Sequence, residues 1–425
     1  MDSLLNFFFL PPFNLYWYLL QAIALILPLN NVVSALLGAF LILLFLTRIL
    51  INHRWRSLDI PINRGWLCLS GWLIITSLTA FFPLIAWTGL FNFLPFFLLF
   101  AIVQTIIKTS KQFEHILKLL IISSLTVSGL GILQVIINQP DWKFPRLFSS
   151  YEISLSMSSD YRIESLFGHF NELGIYLAMI LVVAIGALGQ KSGRLNRSLI
   201  FVALGLGLVA IFFSGSRNAI ALLGLGMIAL AIYHRYWYLV GGLIGSLAVV
   251  LWAAFGKVLG IGGEWLRVLF PMGIMNRLES TINSSQGDFG STADRLNAWK
   301  FATELIQARP IQGWGLRSFS LIAKNMGFDL RTLPHEHNFY LTMAVGGGIP
   351  LAIGFMVLIG WVIWQGLNAN LPKSTKDLVF AAIVAIAIFF LSGLLDVVFY
   401  EPRVNILSWI LLGGIYGVSA NLKNS

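Results

Sequence analysis

Residues 339–364 read FYLTMAVGGGIPLAIGFMVLIGWVIW, a stretch without any charged side chain. A helix of about 20 apolar residues crosses a bilayer core about 30 Å thick, so this stretch predicts a transmembrane helix. Eleven further apolar stretches lie along the chain. The sequence therefore predicts an all-α polytopic membrane protein with about twelve spans. They lie near 13–29, 32–50, 66–82, 87–107, 116–137, 170–188, 198–213, 219–233, 237–255, 339–364, 378–398 and 404–421.

The composition excludes the common soluble classes. The chain of 425 residues is 57% hydrophobic and 11% charged, whereas soluble domains carry about 25% charged residues. Its 33 Phe and 14 Trp also argue against disorder. The single cysteine, Cys68, excludes an intrachain disulfide and a cysteine-based metal site. The net charge of +10 follows the membrane topology, so we expect membrane lipids and no nucleic acid as partners.

The basic residues predict the orientation of the spans. With the N-terminus inside, the inside connections hold fourteen Lys and Arg residues, and the short outside connections hold only Arg217 and Arg403. This excess predicts that both termini are cytoplasmic. We treat residues 1–425 as one membrane domain, with a shorter outer loop at 138–169 and a large outer loop at 256–336. A loop as long as 256–336 is usually functional, and we expect it to carry part of the site.

The second half of the large outer loop has the signals of ordered structure. Ser291-Thr292-Ala293-Asp294 resembles a capping box before a helix at 295–308, and Arg309-Pro310 ends that helix. Gly313-Trp314-Gly315 predicts a turn. Within the helix, Arg295 and Trp299 lie four positions apart and therefore share a face.

Familiar nucleotide and metal motifs are absent from the sequence. It contains no G-x-x-x-x-G-K-[ST], and His335-Glu336-His337 does not have the H-E-x-x-H spacing. A metal ion held by His335 and His337 is an alternative, but no third ligand is evident. We therefore expect neither a metal nor a cofactor.

Arg217 follows Ser214-Gly215-Ser216 between two spans, which places a guanidinium at the membrane surface. It has two interpretations: a side chain that snorkels to lipid headgroups, or a forked donor that binds phosphate oxygens. His337 lies just after Pro334, at the start of the span at 339–364. The positive end of a helix disfavours imidazolium, so a neutral general base is one interpretation and a helix cap is the other. The same chemistry applies to His335, and the sequence does not choose between them.

The segment 162–174 leads from the shorter outer loop into a span. In it, Asn171 and Glu172 either cap the helix or belong to a site, and Arg162 faces either lipid or ligand. Asp396 is an acid near the outer end of a span and is therefore a functional candidate. We expect Glu401 and Arg403 to form only a surface pair.

Three segments together resemble the O-antigen ligases and the related O-antigen polymerases of bacterial envelopes. The first is 168–177, with Asn171-Glu172-Leu173-Gly174, and the second is Ser214-Gly215-Ser216-Arg217. The third runs from Arg295 and Trp299, through Arg309-Pro310 and Gly313-Trp314-Gly315, to His337-Asn338 and Gly348. The family carries a His-Asn pair, nine residues and then Gly, and this chain has that spacing. Leu351 departs from the small or polar residue that usually follows.

The resemblance implies a metal-independent glycosyltransferase with its active site on the periplasmic side of the bacterial cytoplasmic membrane. It implies transfer of a glycan from an undecaprenyl-diphosphate carrier to an acceptor hydroxyl. By this resemblance His337 and Arg217 are expected to be catalytic. Substrate-binding residues would then be Arg162, Arg295, Asn338, His335 and Asn171.

Two questions stay open in the sequence. An inorganic-anion transporter of the bicarbonate-like kind found in the same superfamily is the alternative function. The acceptor of the proposed transfer is lipid A-core, another glycan or a protein, so ligase and polymerase are not separated. Neither the identity of the glycan nor the oligomeric state follows from the residues.

The topology can be tested by cysteine labelling in a Cys68→Ser background. Because of the charge bias, single cysteines introduced near Arg194 and near Ser284 should react with an impermeant thiol reagent from opposite sides of the membrane. Labelling of both positions from the same side would contradict the predicted topology.

Overall fold

The computed structural model describes residues 12–52, 59–137, 143–144, 153–154, 162–189, 194–256, 261–269, 292–327 and 335–421. Its α-helices are α1 Pro12–Ile26, α2 Asn31–Asn52, α3 Pro61–Leu78, α4 Pro83–Gly89, α5 Leu94–Ile106, α6 Ser110–Ile137, α7 Phe170–Leu188, α8 Arg194–Ser214, α9 Arg217–Tyr233, α10 Trp237–Phe255, α11 Thr292–Ala308, α12 Phe319–Asn325, α13 Phe339–Leu367, α14 Lys373–Ser392 and α15 Pro402–Asn421. Short 3-10 helices lie at Leu90–Asn92, Glu264–Leu269 and Val398–Tyr400. Two strands, β1 Lys143–Phe144 and β2 Ile153–Ser154, pair antiparallel.

Helices occupy all twelve of the predicted span positions. Within the described residues, nine helical segments are long and apolar enough to cross a membrane, and α4 and α5 together make one of them, Pro83–Ile106. Two shorter apolar helices and α3, which carries Arg64, account for the others. The predicted all-α polytopic membrane class is confirmed.

The interior of the bundle is built around α7, α14 and α15. In their most apolar windows 78%, 72% and 94% of the residues are buried, against 17% in α10. Small residues bring these helices close together: a side chain at Gly186 of α7 would collide with Ala381 of α14. The last turn of α7 is therefore held against the first half of α14.

The helix of the large outer loop is close to its predicted position. It begins at Thr292, three residues before the predicted start, and ends at Ala308 as predicted. Ser291, the first residue of the predicted capping box, lies outside the described residues.

Glu401 and Arg403 form a buried ion pair, so the prediction of a surface pair is wrong. Arg403 is 2% exposed, and its Nε donates to Glu401 Oε1 at 2.6 Å. Its terminal nitrogens donate to the carbonyls of Leu166 at 2.5 Å and Phe167 at 3.2 Å. A distant loop covers the pair and satisfies its remaining donors, which a sequence pattern does not reveal. The pair thus ties the entry to α7 against the start of α15.

The helix α13 is kinked at Gly348, where φ is +80° and ψ is +171°. A turn of the large outer loop binds the backbone groups that the kink exposes. Trp314 N–H donates to Val345 at 2.8 Å, and Gly315 N–H donates to Gly346 at 3.0 Å. In return, Ile349 N–H donates to Pro310 at 2.8 Å. These bonds satisfy backbone groups that cannot stay unpaired near a membrane interior.

Gly348→Ala should destabilise the protein, because a Cβ there would collide with the carbonyl of Ile311 and would also be strained by the positive φ. The strain alone should lower the free energy of unfolding by about 1–3 kcal/mol. Thermal unfolding in detergent measures the effect. Gly360→Ala is the matched control, because a Cβ added at this glycine of α13 would have no neighbouring heavy atom within 4 Å. Equal stability of the two variants would contradict the account of the kink.

Candidate active site

Asn171 links three separate parts of the chain at the start of α7. Its Oδ1 accepts a hydrogen bond from Ser216 Oγ at 2.8 Å, and its Nδ2 donates to Asp396 Oδ2 at 3.3 Å. The helix cap is supplied by His169, whose Nδ1 accepts from Asn171 N–H at 3.2 Å. The side chain of Asn171 is therefore used for tertiary contacts, and the capping interpretation applies to His169.

Arg217 is the first residue of α9 and directly follows Ser216. Ser216 caps α9 by accepting from Ala219 N–H at 3.3 Å. A Cβ at Gly174 would lie 2.7 Å from Ala219 Cβ, so this glycine allows α7 and α9 to meet. The side chain of Arg217 is exposed. The segment 214–217 thus places a cation beside the Asn171 network, where it is accessible to a ligand or to lipid headgroups.

His335 and His337 lie against each other just before α13. Their ring centroids are 3.8 Å apart, and His337 has a φ of +49°, which is uncommon for a residue with a side chain. His335 Nδ1 accepts from the backbone N–H of His337 at 3.2 Å. A neutral His335 ring then carries its proton on Nε2 and acts as a donor. The geometry thus distinguishes two histidines that the sequence left equivalent.

Electrostatics around the site favour neutral histidines. Burial lowers the pKa of His335, Asp396 opposes this shift, and Arg295 adds to it. Burial likewise lowers the pKa of His169, with Asp396 opposing and Arg162 adding. The guanidinium of Arg162 stacks over the Phe170 ring at 4.1 Å. The structure therefore brings Arg162 close to His169, Arg295 close to His335, and Asp396 close to both histidines.

Asn338 caps α13 and anchors it to the end of α14. Its Oδ1 accepts from Tyr340 N–H and Leu341 N–H, both at 3.0 Å, and its Nδ2 donates to the carbonyl of Leu394 at 3.1 Å. The neighbouring Phe339 N–H donates to Gly393 at 2.7 Å. Asn338 therefore anchors the start of α13, directly after His337, to the end of α14, and its role in binding substrate stays a prediction.

Glu336 is a candidate residue that the sequence analysis missed. It is 5% exposed, and Thr342 Oγ1 donates to its Oε2 at 3.0 Å. Burial raises the pKa of Glu336 to about 7. Burial also raises the pKa of Tyr400; the charge of Glu336 adds to this shift and the charge of Arg317 opposes it. Glu336 and Arg317 therefore both lie near Tyr400. In the sequence, the only feature that could have indicated Glu336 as a candidate is its position between His335 and His337.

An apolar cavity of about 260 Å³ adjoins the site. Its walls come from α2, α5, the 3-10 helix Val398–Tyr400 and the start of α15, and they include Gly38, Phe96, Phe399, Tyr400 and Ile406. The Phe399 ring contacts the Phe339 ring at a centroid distance of 4.7 Å. Phe399 thus lines the cavity and contacts Phe339, the first residue of α13.

No group of three or more His, Cys, Asp or Glu side chains within the described ranges is arranged to hold a metal ion. His335 and His337 are adjacent, as the two-ligand alternative requires, but this part of the chain offers them no third ligand in such a group. Metal independence stays a prediction.

Residues 199–356 match the family model described as O-antigen ligase. The matched range contains the segment 214–217, the helix with Arg295, and His337-Asn338, whereas the segment 168–177 precedes it. The family resemblance predicted from the motifs is therefore confirmed. No curated protein matches the chain.

Glu336→Gln should remove a pH dependence of stability. Because the pKa of Glu336 in the folded protein, about 7, exceeds the ordinary 4.5, the folded state holds a proton that the unfolded state has lost. Wild-type stability should therefore fall as the pH rises from about 4.5 to 7. The melting temperature of the variant should change less with pH over this range than that of the wild type. At pH 8 the variant should melt at a higher temperature than the wild type.

Glu114→Gln serves as the control, because Glu114 is a partly exposed carboxylate paired with Lys118 at 2.7 Å. The melting temperature of Glu114→Gln should depend on pH in the same way as that of the wild type. A Glu336→Gln profile that follows the wild type would mean that the Glu336 carboxyl is ionised in the folded protein at neutral pH.

Proposed function

Because the chain carries a domain of the O-antigen ligase family, we propose that it transfers a glycan from an undecaprenyl-diphosphate carrier to an acceptor hydroxyl. The transfer takes place at the periplasmic face of the bacterial cytoplasmic membrane. The observation that carries the proposal is the Asn171 network, since it joins residues from α7, Ser216 before Arg217, and Asp396 near the histidines. The family match gives no support to the alternative of anion transport.

In the proposed reaction the acceptor oxygen attacks the anomeric carbon of the donor sugar. The bond from that carbon to the diphosphate oxygen breaks, and undecaprenyl diphosphate leaves with the electron pair. Cations stabilise the negative charge that develops on this leaving group. Arg217 is the principal candidate because its side chain is exposed beside the network, and Arg162 and Arg295 flank the histidines.

His337 is proposed as the general base that takes the proton of the acceptor hydroxyl. His335 is less suited to this role, because its Nδ1 already accepts a backbone hydrogen bond and the neutral ring then has a proton on Nε2. We assign His335 to donating a hydrogen bond to substrate. Asn171 would hold the start of α7 against Ser216, and Asn338 would hold the start of α13 against Leu394. Both side chains would also contribute to the surface that binds substrate.

The apolar cavity beside Phe399 and Tyr400 suits the polyprenyl chain of the donor, because it is lined almost entirely by apolar side chains. The large outer loop, 256–336, would close over the sugars. The proposed mechanism uses neither a metal nor a cofactor. The acceptor is lipid A-core, a second glycan chain or a protein.

The division of labour between His337 and Arg217 is tested by measuring transfer rate and donor affinity on detergent-solubilised variants in excess chelator. His337→Ala should fold and bind donor, while transfer falls by roughly 10²–10⁴-fold, the usual contribution of a general base. Arg217→Lys should stay impaired, because lysine keeps the charge but loses the forked geometry. In cells, His337→Ala should accumulate lipid-linked glycan.

Near-normal transfer by His337→Ala would move the base to His335 or remove histidine from the mechanism. Unchanged affinity and rate in Arg217→Lys would assign Arg217 to lipid headgroups. Loss of wild-type activity in chelator, with recovery on adding a divalent ion, would support the two-histidine metal site.

A further inference from the structure

Two buried hydrogen-bond donors on α11 have no acceptor among the described residues. They are Arg295 Nε and Trp299 Nε1. Leaving a buried donor unpaired is unfavourable, so such groups call for a specific explanation. The two residues lie four positions apart, so their side chains lie on one face of the helix.

Two tryptophans that contact the kink region of α13 have acceptors for their indole N–H groups. Trp314 Nε1 donates to the carbonyl of Leu305 at 2.8 Å, and Trp72 Nε1 donates to that of Gly347 at 2.8 Å. Trp66 Nε1 also lacks an acceptor, but its ring stacks on Phe97 at 4.8 Å and packs edge-on against Trp409 at 5.1 Å. Trp299 differs from Trp66 in its location, because it lies on the outer loop one helical turn from Arg295, whose Nε also lacks an acceptor.

The face that carries the two donors is directed towards α13. Ala298 and Ala302 are fully buried on this side of α11, and α11 packs against α13. Arg295 lowers the pKa of His335, which places its charge near the histidine pair. Further along α11, Leu305 belongs to the same buried cluster as Val345 of α13. Trp299 lies about one helical turn from Arg295 on this face.

A cationic donor and a neutral donor that are buried together suit an oxyanion rather than a neutral sugar hydroxyl. We propose that Trp299 donates its indole N–H to a phosphoryl oxygen of the lipid-diphosphate substrate, beside Arg295. This inference rests on the proposed function. Trp299 is then a binding residue for the donor, and the bound phosphoryl group supplies the acceptor that the indole lacks.

Trp299→Phe tests the proposal, because it keeps an aromatic ring and removes the N–H. Purified full-length protein is titrated with undecaprenyl diphosphate, and its melting temperature is measured with and without this probe. Affinity should fall roughly tenfold to a hundredfold, the effect of losing one hydrogen bond to a charged group. Without the probe, the variant should melt at the wild-type temperature or higher, because an unpaired donor has been removed.

Trp314→Phe is the matched control, because the same substitution there removes the hydrogen bond from the indole N–H to the Leu305 carbonyl. It should melt below the wild type and bind undecaprenyl diphosphate within about twofold of the wild-type affinity.

Wild-type affinity in Trp299→Phe would overturn the inference, as would a loss of stability equal to that of Trp314→Phe. A wild-type protein that does not bind undecaprenyl diphosphate would also overturn it. The proposed function can fail independently of this inference. If Trp299→Phe weakens binding of undecaprenyl diphosphate but the wild-type protein transfers no glycan to any acceptor, the inference is supported and the proposed transferase activity is contradicted.

Discussion

The amide of Asn171 is the contact on which the candidate site depends. It accepts from Ser216 and donates to Asp396, a residue 225 positions away in the sequence. An amide can do both at once because it has separate donor and acceptor ends. This one side chain therefore sets the start of α9, where Arg217 lies, relative to the end of α14. The cation and the histidine pair are brought to one end of the bundle as a result.

The membrane imposes a second constraint, which is that backbone groups need partners. The kink at Gly348 breaks the pairing within α13, and the turn at Gly313 and Gly315 restores it. This exchange explains why a glycine follows His337-Asn338 at a fixed spacing. The outer loop is thereby attached to α13, the helix that follows the candidate base, and α11 packs against it.

Burial of ionisable groups gives the site its chemical character. Burial and nearby arginines lower the pKa of His335 and His169, whereas burial holds the pKa of the Glu336 carboxyl closer to neutrality. A neutral imidazole can accept a proton, and a neutral carboxyl can remain in a buried position at lower cost. Such an environment suits proton transfer between a hydroxyl and a histidine near pH 7.

The amino-acid sequence by itself determined the helices, because the length of an apolar stretch is a local property that the bilayer thickness selects. It also indicated Arg217 and His337, since isolated polar groups beside spans are unusual. Only the tertiary structure decided the cap at His169, the burial of Glu401 with Arg403, and the different hydrogen bonding of His335 and His337. Those outcomes depend on how the chain folds around each group, and a local pattern does not contain that information.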